Sequence, residues 1–245
     1  MKTTTEELNL GELAASLGWT PRFVERLAVG GKLPGTEVRG EWRFRRDELV
    51  DWLDQKLQTL DTPRVAELEH KLERELEEEG ELRRPHPDVL TSKLHPSGIE
   101  LNLRADRKAA VLRELVDVAR RTELVLDEKH LHASIVEREA LCSTALPGGV
   151  AVVHPRRPLP SAARNSFLCF GRTAQPIPFG ADDGAPTQLF FLLVTIHDRT
   201  HLHALARLIR VLRGETLNAL RQAPDAESVL TLLRRRETEI DAENG

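Results

Sequence analysis

Apolar positions in the first part of the chain fall at helical spacing. Leu10, Leu13, Ala14 and Leu17 form one set, closed by Gly18, and Phe23, Val24, Leu27 and Ala28 form a second, closed by Gly30 and Gly31. This predicts two short helices over 9–17 and 21–28, with Thr20 as N-cap of the second and Pro21 in its first turn. The stretch 38–46 alternates aromatic and basic side chains (Trp42, Arg43, Phe44, Arg45, Arg46) and predicts a wing after the Lys32-Leu33-Pro34-Gly35 turn. Asp47 is expected to cap a third helix that buries Leu49, Val50, Trp52 and Leu53.

Between 57 and 81 the pattern loosens. Val65, Leu68, Leu72 and Leu76 keep three-and-four spacing among Glu and Lys, which reads either as a solvated helical spacer or as a short seam able to pair two chains over 57–80. Gly80, Pro85 and Pro87 mark a boundary. From about Asp88 strands and helices interleave: an alternating run at Ile99, Leu101 and Leu103, helices over 107–121 and from 129 to 141, and the apolar run 150–153 ending at His154. Further runs at 166–170 and 189–195 are followed by a helix from Thr200 and a last helix over 227–236. The pattern predicts an α/β unit, a mixed sheet covered by helices, behind a small N-terminal helical unit. The domain expectation is 1–57, a charged helical linker 58–87, and 88–245.

Composition narrows the function classes. At 40% hydrophobic and 30% charged residues, with a net charge of -4, the chain can build real cores, and no run approaches the roughly 18 apolar residues of a membrane helix. The polar start M-K-T-T-T-E-E lacks a signal-peptide core, so a cytoplasmic protein without membrane insertion is expected. Cys142 and Cys169, without C-x-x-C spacing, read as two buried thiols. The stretch 19–46 carries seven Lys and Arg against three Glu, a modest footprint for nucleic acid.

L-x-x-x-E-L-A-x-x-L-G, then G-K-L-P-G and G-E-W-R-F-R-R-D-E-L-x-D-W-L, over residues 8–56, resembles the excisionase-type winged helix-turn-helix related to the MerR group. The resemblance implies a recognition helix over 21–28 with Arg22 and Arg26 towards DNA, and Arg43, Arg45 and Arg46 of the wing on phosphates.

R-E-A-L-x-S-T-x-x-x-x-G-x-A-V-x-H, then Q-L-F-F-L-L-V and H-L-H-A-L-A-R-L-I-R-V-L, resembles the enzyme IIA domain of the fructose, mannitol and nitrogen-regulatory group of the bacterial phosphotransferase system. That resemblance implies an enzyme IIA-like fold. It makes His154 the acceptor of a phosphoryl group from a histidine phosphocarrier protein, His201 the second active-site histidine, and Arg138 a contact of the phosphoryl group. Pro155 stands where the family commonly has glycine. A neutral imidazole is nucleophilic near physiological pH, and transfer needs positioning and positive charge rather than a metal or cofactor. Arg156 and Arg157 either add positive potential or are ordinary solvated surface, and Thr144 either orients His154 or closes the preceding turn.

The function expected is a regulator of the phosphotransferase system that couples phosphorylation of its histidine to binding of DNA or a partner, a phosphoryl acceptor rather than a turnover enzyme. Two other readings stand beside it: a phosphotransfer component of sugar uptake, or a sensor that is no longer phosphorylated. A further alternative, a metal site built by His154 with His197, His201 and His203, rests on their spacing at a helix start.

Overall fold

The computed structural model describes residues 7–17, 19–57, 65, 66, 69–71, 74 and 90–244, without the side chains of 16, 17, 46, 47, 50, 54, 55, 57, 198, 199 and 244. The N-terminal unit is a winged helix. Strand β1 (Glu7–Asn9), absent from the sequence expectation, pairs antiparallel with β3 (Glu41–Arg45), and β3 pairs with β2 (Thr36–Val38).

Helix α1 (Leu10–Leu17) starts on a reciprocal cap: the Glu12 carboxylate accepts from the Asn9 N–H at 2.8 Å, and the Asn9 side chain accepts from the Glu12 N–H at 2.9 Å. Helix α2 (Pro21–Val29) starts on Thr20, whose hydroxyl accepts from the Phe23 N–H at 3.3 Å. Arg39 (φ 54°) and Gly40 (φ 81°) turn the wing with two successive left-handed residues, the requirement of a two-residue hairpin. Helix α3 (Arg46–Leu57) starts one residue before the position given to Asp47 as its cap.

The larger unit runs β4 (Leu94–Leu103), α4 (Lys108–Arg120), α5 (Glu128–Leu141), β5 (Ala145–Leu146), β6 (Val150–Val153), β7 (Phe167–Ile177), β8 (Thr187–Val194), α6 (Asp198–Val211), α7 (Glu215–Gln222) and α8 (Ala226–Asn244). Sheet order is β4-β7-β8-β6-β5. β4/β7 and β6/β8 are parallel, whereas β7/β8 and β5/β6 are antiparallel, so the sheet is mixed as the pattern predicted. β5 and α7 were not legible in the apolar pattern, because one is two residues long and the other buries few side chains.

The central strands are apolar on both faces, and strand periodicity sorts them. Val150, Val152, Leu189, Phe191 and Leu193 face one apolar cluster, while Ala151, Val153, Phe190, Leu192 and Val194 face the other. The first cluster is continuous with the core of the winged helix, including Leu13, Val24, Phe44, Leu49 and Leu53. Helix α6 lies between: α3 and α8 both pack on it, and residues 201–212 are all buried. A helix covered on all sides must satisfy its polar groups internally.

That requirement is met partly from the segment between the units. Val65 and Glu69, positions expected on a solvated spacer or pairing seam, are buried inside one chain. Glu69 receives the Arg207 guanidinium at 3.0 Å and that of Arg210 at 2.7 Å. Burial works against the charge on Arg207, but the carboxylates of Glu69, Asp241 and Glu237 outweigh it and raise its pKa. Leu68, Leu72 and Leu76, with Pro85 and Pro87, lie outside the described residues.

Candidate functional site

The hairpin β5–β6 turns through Pro147, Gly148 (φ 90°) and Gly149 (φ 74°), both glycines in the left-handed region that side chains disfavour. It delivers β6 alongside β8, with Val153 opposite Leu192. His154 follows β6 with the parity of Val150 and Val152, so it belongs to the α6 face. There its ring centroid lies 5.4 Å from that of His201, in the first turn of α6, with planes tilted by 54°.

Both rings are oriented from behind. The Nδ1 of His154 is 2.7 Å from the Val152 carbonyl oxygen. A carbonyl only accepts, so Nδ1 carries the proton and the neutral ring holds its lone pair on Nε2. The Nδ1 of His201 is 3.0 Å from the Thr195 hydroxyl, at the end of β8. His154 is 0% exposed and His201 1%.

The remaining predicted residues divide. Arg138, in the last turn of α5, is buried, and its guanidinium donates to the Cys142 carbonyl at 3.1 Å and to the Cys142 sulfur at 3.3 Å. Thr144 closes the turn before β5: its N–H and hydroxyl donate to Glu139 at 3.0 and 2.6 Å, and Lys108 reaches the same carboxylate at 2.8 Å. The Thr144 carbonyl accepts from the Val152 N–H at 3.0 Å, so Thr144 holds the residue that in turn holds His154. Pro155 is buried beside His154.

Arg156 and Arg157 project towards α3. Arg156 meets the Asp51 carboxylate through Nε at 3.2 Å to both oxygens and through a terminal nitrogen at 2.6 Å, and Arg157 meets it at 3.1 Å. Asp51 is 17% exposed. No local signal marks Asp51, because a carboxylate on an amphipathic helix reads as solvated surface until the partner across the fold is known.

The three-histidine alternative is not met. His197 is exposed at the N-cap of α6 whereas His203 is buried, and among the described residues no group of three His, Cys, Asp or Glu is arranged to hold a metal ion. The expectation of two buried thiols holds for Cys169 only: Cys142 is half-buried, and burial pushes the Cys169 thiol up to about 12.

In the winged helix, Arg22, Glu25, Arg26 and Val29 share an exposed face of α2 at three-and-four spacing. The Arg26 guanidinium sits 5.0 Å over the Phe23 ring, Arg43 pairs with Glu41 at 2.8 Å, and Arg45 approaches Glu48 at 3.8 Å. Arg46 opens α3, and its side chain lies outside the described residues. Among the described residues no helix is long and apolar enough to cross a membrane.

A family model described as phosphoenolpyruvate-dependent sugar phosphotransferase system, EIIA 2, matches residues 92–236, and one described as helix-turn-helix domain matches residues 7–57. A nitrogen regulatory protein of Bradyrhizobium diazoefficiens is 33% identical over 148 residues, 59% of this chain and 94% of that protein. A fructose-specific EIIABC component of Bacillus subtilis is 27% identical over 147 residues, 59% of this chain and 23% of that protein. The crystal structure of nitrogen regulatory protein IIA-Ntr from Neisseria meningitidis superimposes with a TM-score of 0.53 at 28% identity, covering 58% of this chain and 97% of that one.

Proposed function

Because the chain belongs to the EIIA 2 family of the phosphoenolpyruvate-dependent sugar phosphotransferase system, with a helix-turn-helix domain at its N-terminus, we propose that it is a cytoplasmic regulator phosphorylated on His154 by a histidine phosphocarrier protein. Residues 1–57 are its DNA-binding unit, 58–87 the connector and 88–245 the acceptor unit. The observation that carries this reading is the hydrogen bond from His154 Nδ1 to the Val152 carbonyl at 2.7 Å, which puts the lone pair of the neutral ring on Nε2, in a ring whose centroid lies 5.4 Å from that of His201.

The transfer balances simply. The Nε2 lone pair forms a new N–P bond while the N–P bond of the donor phosphohistidine breaks, returning its electron pair to the donor ring. Charge gathers on the three phosphoryl oxygens, and donors aimed at them lower the barrier. His201 and Arg138 are assigned that role. Phosphorylation adds about -1.5 to -2 charges beside α6, the helix on which the winged helix packs, and this is the route by which it alters DNA or partner binding. In the winged helix, Arg22 and Arg26 face the bases, and Arg43, Arg45 and Arg46 the phosphates.

The test is phosphotransfer from a phosphorylated histidine phosphocarrier protein, with mass mapping of the modified residue. Wild type gains one phosphoryl group at His154 and His154→Ala gains none; equal labelling of both defeats the assignment. The match to a fructose-specific EIIABC component supports a second reading, a phosphotransfer component of sugar uptake. It requires that the labelled chain pass the group on to an EIIB-type acceptor.

A further inference from the structure

His154 is fully buried, and just beyond it in the chain the winged helix meets the larger unit through an ionic contact. Asp51 of α3 inserts one carboxylate between two consecutive arginines, with three bonds from Arg156 and one from Arg157. These arginines begin two residues after His154. Beside them α3 packs on α6, the helix that carries His201. One apolar cluster holds residues of both units, Leu49 and Leu53 of α3 and Leu202 and Leu205 of α6 among them.

A carboxylate held by paired guanidinium groups is a close chemical relative of a phosphoryl group held the same way: both are planar or trigonal arrays of anionic oxygens taking fork-like N–H donors. A phosphoryl group transferred to Nε2 of His154 carries about two negative charges. Arg156 and Arg157 are the first basic groups to follow His154 in the chain.

We propose that Arg156 and Arg157 form an anion subsite for the phosphoryl group of the incoming donor, and that Asp51 of the winged helix occupies this subsite in the docked chain. Docking of the winged helix and delivery of the phosphoryl group then exclude each other: the donor displaces Asp51 from the arginines, and α3 leaves α6. The exposed face of α2, with Arg22 and Arg26, is not part of the docked surface, so docking controls access to His154 without covering the DNA-reading helix.

This inference rests on His154 being the acceptor, and the experiment separates the two. Full-length wild type, Asp51→Asn, and Asp51→Asn combined with Arg156→Gln are labelled by phosphorylated phosphocarrier protein and, separately, by phosphoramidate as a small donor. The rate at His154 is followed by intact mass. Asp51→Asn keeps the shape of the side chain and removes the charge, and it is expected to accelerate labelling by the protein donor about tenfold, the equivalent of about 1.4 kcal/mol. A smaller gain is expected with phosphoramidate, which needs less room.

Adding Arg156→Gln is expected to slow the Asp51→Asn chain by about tenfold, because the donor's phosphoryl group then lacks that guanidinium. A double variant as fast as Asp51→Asn would mean that the arginine only holds the winged helix, and overturns the subsite. Equal rates for wild type and Asp51→Asn overturn the proposal while leaving His154 as acceptor. No labelling of His154 in any chain with either donor removes the acceptor reading and the subsite together. Far-ultraviolet circular dichroism of each variant checks that the chains compared are folded.

Discussion

Glu69 and Arg207 face each other at 3.0 Å with side chains 0% and 1% exposed, although 138 residues separate them. The same carboxylate takes Arg210 at 2.7 Å, so one acid from the connecting segment pairs with two arginines of α6. Asp241 also reaches Arg207, and Glu237 lies 3.8 Å from it. The outer face of α6 therefore depends on a side chain from outside the larger unit, and two buried guanidinium groups fix where the connector lies.

Replacing Glu69 by Ala leaves those charges without their main counter-ion. An uncompensated buried ion is costly, and the expected loss is about 3–5 kcal/mol of unfolding free energy, measured by urea denaturation. A loss under 1 kcal/mol would mean that water or another acid compensates.

Glu237 gives a pH dependence. Its carboxylate accepts from the Leu90 and Thr91 N–H groups at 2.7 and 3.0 Å and from the Thr91 hydroxyl at 2.9 Å, yet burial outweighs these bonds and raises its pKa. A carboxyl with a raised folded pKa holds its proton to higher pH in the folded chain than in the unfolded one. Its contribution is thus fully present below the ordinary value of about 4.3 and is lost as pH rises through the folded value. Subtracting the stability-pH curve of Glu237→Gln from that of wild type is expected to give a difference that falls with pH above about 4.

His201→Ala removes the ring 5.4 Å from that of His154 and is expected to slow single-turnover labelling of His154 by about a hundredfold, the usual loss for one donor to developing charge. Thr195→Val, which removes only the hydroxyl at 3.0 Å from His201 Nδ1, is expected to slow it less, by about tenfold. Both rates are read by quenched-flow mass spectrometry, and an unchanged rate for His201→Ala would place that ring outside the transfer step.

For the winged helix, Arg43→Ala or Arg45→Ala is expected to weaken binding to duplex DNA in a salt-dependent way. If the side chain meets a phosphate, the slope of log affinity against log salt falls by about one for each arginine removed. Fluorescence anisotropy across a salt series measures it; a slope unchanged in both variants removes these residues from the interface.

Cys169, with its thiol pushed up to about 12 by burial, is expected to resist iodoacetamide in the folded chain at pH 8 and to react only after unfolding, as judged by peptide mapping.

Local chemistry made much of this protein readable from its residues alone. The cap at Thr20, the alternation of Trp42 to Arg45 and the apolar runs 150–153 and 189–195 specify their own elements, because caps, periodicity and turns are decided within a few residues of chain. The mixed sheet followed from strands interleaved with helices. What the sequence left undecided were partnerships between distant positions. Val65 and Glu69 look like a solvated spacer because their neighbours are charged, and Asp51 looks like surface because its helix is amphipathic. Only packing of the winged helix and connector against α6 decides that Glu69 is a buried counter-ion and that Asp51 holds Arg156 and Arg157. A charge far along the chain has no local signature; the fold alone brings it to its partner.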